Sequence, residues 1–130
     1  MDKGYMQNVI DDIENISLYR LLGLRTIKIN TGSCEMYMPI TVNVLNQFGE
    51  VAKGVYYAIC DVAAYAASCT ILPDEEFPMT YCINVSVLSP AAKGGLKIMA
   101  NTVEAEYGGC TEVKMFDENK TLVAIGSIRY

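Results

Sequence analysis

The sequence of 130 residues contains no histidine. A Ser-His-Asp triad, a Cys-His pair and a histidine-centred dehydratase site are therefore excluded, as is any metal site that depends on histidine ligands. Acid–base chemistry near neutral pH would have to come from a carboxylate, a tyrosine, a lysine or a cysteine.

Long apolar runs and an apolar leader are also missing. Hydrophobic residues make up 52% of the chain, but they are spread along it. The uncharged run Val62–Pro73 is too short and too polar to span a bilayer. The first residues already include charges, and Asp11, Asp12 and Glu14 follow without an apolar signal core. We therefore expect a cytoplasmic protein with no membrane partner.

Clustered cysteines and clustered positive charge are absent as well. None of the five cysteines forms a Cys-x-x-Cys pair, so zinc and thioredoxin-like redox sites lack their motif, and we expect no metal. An odd number of cysteines cannot pair fully within one chain, and buried free thiols are the expected state. The ten lysines and arginines are scattered and the net charge is −5, so we expect no nucleic-acid partner.

The sequence does contain a clear series of helix and strand patterns. Apolar residues at helical spacing predict an amphipathic helix from Tyr5 to about Tyr19, which Leu21-Leu22-Gly23 ends. A second helix, from about Val51 to Ser68, is rich in alanine and almost uncharged, so it must be buried on nearly all sides. Alternating residues and turn signals predict six strands, at about 24–30, 33–40, 79–88, 96–106, 111–116 and 121–130, with Gly108-Gly109 ending the fourth.

This order of elements, without repeat or linker, predicts one α+β domain over residues 1–130. An antiparallel sheet would wrap around the long alanine-rich helix, with a further helix at the N-terminus. The small alanine side chains would let the sheet and the central helix approach each other closely.

Asp61 is the first candidate for chemistry, because it interrupts the apolar central helix between Cys60 and Val62. An ionised carboxylate in such a segment must be paired, neutralised or exposed in a cleft. The plain alternative is a solvated aspartate on the single solvent-exposed side of the helix, and periodicity alone favours that alternative.

Lys53 and Gly54 stand at the start of the same helix, about two turns before Asp61. Seven residues return to nearly the same face but lie about 10 Å apart along the axis. One helix therefore cannot bring its own start and its own Asp61 to one atom. An antiparallel copy related by a two-fold axis would place Asp61 beside the partner's helix start, whose free N–H groups stabilise an oxyanion.

The spacing of these residues resembles a known family pattern. Asn46 is followed by five residues, then Ala52-Lys53-Gly54, then six residues and Asp61. The hotdog-fold thioesterases, in particular the phenylacetate-pathway (PaaI-like) branch of acyl-CoA thioesterases, have asparagine, His-Gly-Gly and aspartate at this spacing. The segment from Thr80 to Ser89-Pro90-Ala91 is similar to a later strand of that family. The resemblance covers residues 22–130 and implies a hotdog fold.

The resemblance also implies a role for each matching position. Asp61 would be the general base or nucleophile, and the Lys53 N–H, at the helix start with Gly54, would polarise the thioester carbonyl. Asn46 would orient the substrate or the attacking water, and Thr80 would position that water. The chain would need no cofactor beyond the coenzyme A of its substrate, and it would act as a homodimer or a dimer of dimers. Ala52 and Lys53 depart from the family's histidine and first glycine.

Other candidate residues lie near this pattern, and most of them have two readings. Tyr56, Tyr57 and Tyr65 would line an acyl or aryl pocket, or would pack in the core or a dimer interface. Lys93 is a candidate contact for coenzyme A phosphates. Asn46 would serve equally well as a turn or capping residue, and Thr80 is an ordinary strand residue.

Three functions are compatible with these residues. The leading hypothesis is an acyl-CoA or aryl-CoA thioesterase in which the Asp61 carboxylate assists the attack of water. The alternative is a hotdog module that binds an acyl-CoA-like ligand without hydrolysing it, as the departures at Ala52 and Lys53 suggest. A hotdog dehydratase or hydratase is disfavoured because the chain has no histidine.

Overall fold

A computed structural model describes residues 3–72, 79–80, 82–105 and 108–130 of the chain. Three α-helices occur among these residues: α1 (Lys3–Glu14), α2 (Ser17–Leu22) and α3 (Lys53–Cys69). A short 3₁₀ turn, Val42–Val44, lies in the connection that leads into α3. No helix in the described part of the chain combines the length and the apolar character that crossing a bilayer requires.

Six strands of the described residues form one antiparallel sheet in the order β1-β2-β4-β5-β6-β3. The two edge strands, β1 and β3, therefore come from different parts of the chain. The strands are β1 (Arg25–Asn30), β2 (Ser33–Pro39), β3 (Cys82–Val87), β4 (Gly95–Ala105), β5 (Gly108–Phe116) and β6 (Leu122–Arg129).

The core lies between α3 and the inner face of this sheet. Alternate residues of the strands point towards α3, as the burial of Cys34, Met36 and Met38 along β2 illustrates. Four alanines of α3, Ala63, Ala64, Ala66 and Ala67, are buried against the strands, and their small side chains bring the helix close to the sheet. The predicted α+β architecture, with a sheet around a long central helix and helical structure at the N-terminus, is confirmed.

One close approach explains why β6 has a glycine in its middle. A β-carbon at Gly126 would overlap with the Sγ atom of Cys60 on α3. Gly126 pairs with Val85 on one side and Val113 on the other, so it lies in the centre of the inner face. The missing side chain at Gly126 therefore makes room for α3.

The N-terminal helix differs from its prediction, because the single helix from Tyr5 to Tyr19 is divided in two. Ile16 adopts an extended conformation between α1 and α2, while Ile13 and Ile16 both remain packed against the core. The apolar periodicity of the sequence therefore continues across a point where the helix itself is interrupted. Gly23 ends α2 in the left-handed conformation, as the Leu-Leu-Gly signal predicted.

The strand boundaries shift in two places. β5 begins at Gly108, where the sequence predicted the end of β4, because Gly109 exchanges both backbone hydrogen bonds with Tyr130 and leaves room for its ring. β3 begins at Cys82, so the predicted strand start at Met79 and Thr80 lies outside it.

Candidate functional site

The exposed side of α3 carries the residues that the sequence singled out. Lys53, Tyr57, Asp61 and Tyr65 follow one another at intervals of four residues, so they lie along one side of the helix, and we call them the α3 stripe. Lys53, Tyr57 and Asp61 are exposed, and Tyr65 is half-buried.

Asp61 occupies the exposed side of a helix that is otherwise packed. Its neighbours Cys60 and Val62 are buried, at 0% and 3% exposure, whereas the Asp61 side chain reaches the surface of the single chain. The carboxylate is therefore available to a ligand or to a second chain. A solvated aspartate would have the same exposure, so both readings of Asp61 from the sequence agree with its position.

The start of α3 presents open backbone donors. The Ala52 N–H donates to the Val44 carbonyl, and the Ala52 carbonyl accepts from Val55. Neither the Lys53 nor the Gly54 N–H has a hydrogen-bond partner among the described residues. A β-carbon at Gly54 would meet no atom within 4 Å, so the first turn of the helix is open on the side of Gly54. Two such N–H groups without a partner, at an open helix start, are suited to binding an oxyanion.

Asn46 closes the loop that leads into α3. Its Oδ1 atom accepts hydrogen bonds from the N–H groups of Phe48 (2.9 Å) and Glu50 (3.1 Å), and its own N–H donates to the Glu50 carbonyl (2.7 Å). Asn46 is therefore a turn residue, which is one of the two roles that the sequence allowed for it. Because Oδ1 is used in the loop, only the Nδ2 amide group is left for a substrate.

Thr80 and Lys93 lie on other segments. Thr80 is exposed, precedes β3 by two residues, and makes no described contact with the α3 stripe. Lys93 is exposed in the loop between β3 and β4. That loop meets the start of α3, because the Val51 N–H donates to the Ala91 carbonyl at 2.8 Å. Lys93 is thus two residues from a direct contact with the helix start.

The tyrosines around the stripe have different environments. Tyr57 is 42% exposed, which leaves it free to contact a ligand or a second chain. Burial raises the pKa of Tyr65 to about 12, and the Cys69 thiol, Asp12 and Tyr5 act in the same direction, which places Tyr65 beside the junction of α3 and α1. Tyr65 contributes to packing between these helices as well as to the stripe.

Tyr56, for which the sequence allowed either a pocket role or a packing role, is buried in the core. Its side chain is 1% exposed, and its hydroxyl makes no hydrogen bond of ordinary geometry. Burial raises its pKa, while the nearby Ala91 backbone amide acts in the opposite direction. Tyr56 therefore packs beneath the loop that contacts the helix start. An aromatic residue in an apolar helix gives no sequence signal that would separate it from its exposed neighbour Tyr57.

Cys60 is not a nucleophile in this arrangement, although it precedes Asp61. Burial, with a further contribution from the Asp61 carboxylate, raises the pKa of Cys60 to about 12. The thiolate is the reactive form of cysteine, so a thiol with this pKa is inert near neutral pH.

Within one chain, the carboxylate and the open N–H groups remain apart. Gly54 and Asp61 are separated by seven residues of continuous helix, a rise of about 10 Å. A substrate carbonyl polarised at the helix start is therefore beyond the reach of the same chain's Asp61. A complete site of this kind needs a second chain.

Solved structures resemble this chain over nearly its full length. PaaI from the phenylacetic acid degradation operon of Escherichia coli superposes with a TM-score of 0.85 at 20% identity, covering 96% of this chain and 90% of that one. A thioesterase family protein from Silicibacter pomeroyi has a TM-score of 0.85 at 21% identity, covering 96% and 93%. A thioesterase from Haemophilus influenzae has a TM-score of 0.84 at 17% identity, covering 92% and 85%.

These structures confirm the predicted hotdog fold and the resemblance to PaaI-like thioesterases at the level of structure. No protein-family profile and no curated protein sequence matches the chain.

Proposed function

We propose that this protein is a thioester hydrolase of the acyl-CoA or aryl-CoA class, active as a homodimer. The observation that carries the proposal is the α3 stripe, where an exposed carboxylate and two open backbone donors occupy one side of an otherwise apolar helix. The fold is one whose solved representatives include several thioesterases, which supports the same chemistry.

In the proposed reaction, Asp61 accepts a proton from water as the water oxygen attacks the thioester carbonyl carbon. The carbonyl oxygen becomes an oxyanion, which the N–H groups of Lys53 and Gly54 stabilise from the other subunit. The C–S bond then breaks, and the leaving thiolate takes the proton from Asp61. The products are a carboxylic acid and the free thiol, and the reaction uses neither a metal nor a histidine.

The two edges of the sheet support a dimer through β3. β1 carries Arg25 and Lys28 and contains a register shift between Thr26 and Lys28, all of which discourage pairing with another strand. β3, with the sequence CINVSV, has no charge and no proline, and it pairs with β6 without a shift. Its outer edge is therefore the better template for a second chain.

The inner face of β3 supports the same conclusion. Ile83 and Val85 are only half-buried and Val87 is exposed, whereas the inward-facing residues of β2, such as Met36 and Met38, are fully buried. A partner that continues the sheet beyond β3 would cover this apolar surface. It would also bring its own α3 beside the first one, as the site requires.

The proposed substrates carry an aromatic or other apolar acyl group. PaaI and a second structural neighbour, a putative thioesterase from Ralstonia eutropha described as phenylacetic acid degradation-related (TM-score 0.83, 21% identity), make aryl-CoA esters the first choice. Tyr57 would contact the acyl group next to Asp61. Lys93, near the helix start, would contact the coenzyme A phosphates. A cytoplasmic location, where coenzyme A esters are made and used, belongs to the same proposal.

A non-catalytic hotdog module remains the second candidate. The observation that favours it is Lys53 itself, whose long charged side chain starts at one of the two proposed oxyanion donors. Such a module would bind coenzyme A esters in a saturable manner without releasing thiol.

A turnover screen separates the two candidates. Purified protein is incubated with a panel of acyl-CoA and aryl-CoA esters, and thiol release is measured together with ester binding by calorimetry. We expect turnover, with aryl-CoA esters among the substrates. Binding without any thiol release would refute the hydrolase and support the module, and neither binding nor release would refute both.

A further inference from the structure

The α3 helix contains only two charged residues, and they are of opposite sign. Lys53 and Asp61 are both exposed on the stripe. The ion pairs within the described part of the chain are Lys97–Glu35 and Lys114–Glu112, so neither Lys53 nor Asp61 has an ionic partner there. The helix therefore presents one unpaired cation and one unpaired anion on the side that the proposed dimer would cover.

The two charges are placed symmetrically about Tyr57. Lys53 lies four residues before Tyr57 and Asp61 four residues after it, a rise of about 6 Å in each direction. In a two-fold contact, a residue that meets another is met by the same residue of the other copy. A two-fold axis that passes close to Tyr57 and the small, half-buried Ala58 would therefore set position 53 of one helix opposite position 61 of the other.

We infer that the α3 helices of two chains pack antiparallel about this axis, so that Lys53 of each chain forms an ion pair with Asp61 of the partner subunit. This inference rests on the dimer of the proposed function. It adds that Lys53 acts through its side chain, as a positioning residue that holds the carboxylate beside the open N–H groups of Lys53 and Gly54.

The pairing also resolves an energetic problem of the interface. A second chain that covers the stripe excludes water from both charges, and an uncompensated charge in such a place is strongly destabilising. Reciprocal pairing compensates each charge with the other. Glu50 and Lys93 are other charged groups near the helix start, and both are exposed in loops, outside α3. Tyr57 and Tyr65, one turn on either side of Asp61, are its titratable neighbours on the stripe.

Charge reversal at Lys53 and Asp61 tests the proposed ion pair by its effect on the dissociation constant of the dimer. Sedimentation equilibrium is measured for the full-length wild type, K53E, D61K and the double variant K53E/D61K. Each single reversal opposes like charges twice per dimer, so we expect the dissociation constant to rise at least about tenfold. The double variant restores opposite charges with exchanged positions, and we expect its dissociation constant to return to within about threefold of wild type.

Lys97 provides a matched control. It pairs with Glu35 at 3.0 Å on the outer face of the sheet, away from α3, so K97E leaves the dimer constant unchanged. The inference is overturned if the wild type is monomeric or if the single reversals leave the dissociation constant unchanged. It is also overturned if the loss of dimerisation free energy in the double variant equals the sum of the losses in the two single variants.

The positioning role has a kinetic readout of its own. If Lys53 holds the carboxylate in place, K53M lowers kcat about tenfold or more while KM changes by less than about threefold, and K53R retains most of kcat. Equal kcat values for K53M and wild type would overturn the positioning role. A wild type that hydrolyses no coenzyme A ester would refute the proposed function, but the charge-reversal result would still decide whether the pair exists.

Discussion

The Cys60 thiol on α3 lies against Gly126 on β6, and a side chain at Gly126 would overlap with it. The contact joins the central helix to the middle of the sheet, where both residues are buried. The distance between helix and sheet thus depends on one residue without a side chain. This distance also sets how far the α3 stripe projects from the sheet.

Gly126→Ala tests the importance of that contact. The added methyl group must displace the Cys60 thiol or the helix, and overpacking of this kind costs about 1–3 kcal/mol. We expect urea unfolding to show a loss of stability in this range. Gly54→Ala is the control, because the space around Gly54 is open in the single chain. Equal stability of the two variants would show that α3 moves freely relative to β6.

The two readings of Asn46 are separable by a pair of substitutions. Asn46→Ala removes both hydrogen bonds to the N–H groups of Phe48 and Glu50, and we expect a loss of about 1–2 kcal/mol in urea unfolding. Asn46→Asp keeps an oxygen acceptor for both N–H groups but removes the Nδ2 donor. We expect the aspartate variant to retain stability and to lose turnover. Full turnover of Asn46→Asp would leave Asn46 with the turn role alone.

Buried thiols predict a loss of stability at alkaline pH. Burial, with nearby carboxylates adding to it, raises the pKa of Cys34 and Cys60 from 9.0 to about 12, and burial raises that of Cys69 to about 11. In the unfolded chain these thiols ionise from about pH 9, whereas in the folded chain they remain neutral. Their contribution is therefore fully present below pH 9 and is lost as the pH rises towards 11–12.

The expected slope is about 1.4 kcal/mol per pH unit for each thiol within this window. Urea unfolding at pH 8, 9.5 and 10.5 measures it. Cys60→Ala removes one of the groups, so its stability falls less steeply with pH than that of the wild type. A wild-type stability that does not change over this range would contradict the burial of the three thiols.

Much of the fold is predictable from the sequence because burial leaves a regular pattern. The nearly uncharged alanine-rich run predicted α3 within two residues at its start and one at its end, and alternation together with turn signals predicted all six strands. The break at Ile16 was not predictable, since Ile13 and Ile16 both pack on the core and keep the helical spacing. The start of β5 at Gly108 was missed because glycine pairs indicate turns, while here Gly109 makes room for the Tyr130 ring.

The sequence predicted which residues belong to the candidate site, but not their exposure or their hydrogen bonds. Spacing placed Lys53, Gly54 and Asp61 on one helix, and the structure adds that the carboxylate is exposed and that two N–H groups are open. The sequence could not show that the Asn46 side chain closes a loop, because a turn asparagine and a catalytic one look alike. Gly54 and Asp61 lie apart along one helix, so these groups would meet only between two chains, as the proposed dimer requires.

The most direct measurement is turnover of a coenzyme A ester by Asp61→Asn, compared with wild type at equal dimer concentration. The amide keeps the size of the carboxylate but cannot accept the proton from water, so we expect thiol release to fall by a factor of about 100 or more. Thermal unfolding of the isolated fold should change little, because Asp61 is exposed and has no ionic partner among the described residues. Wild-type turnover in this variant would contradict the assignment of Asp61 as the catalytic base.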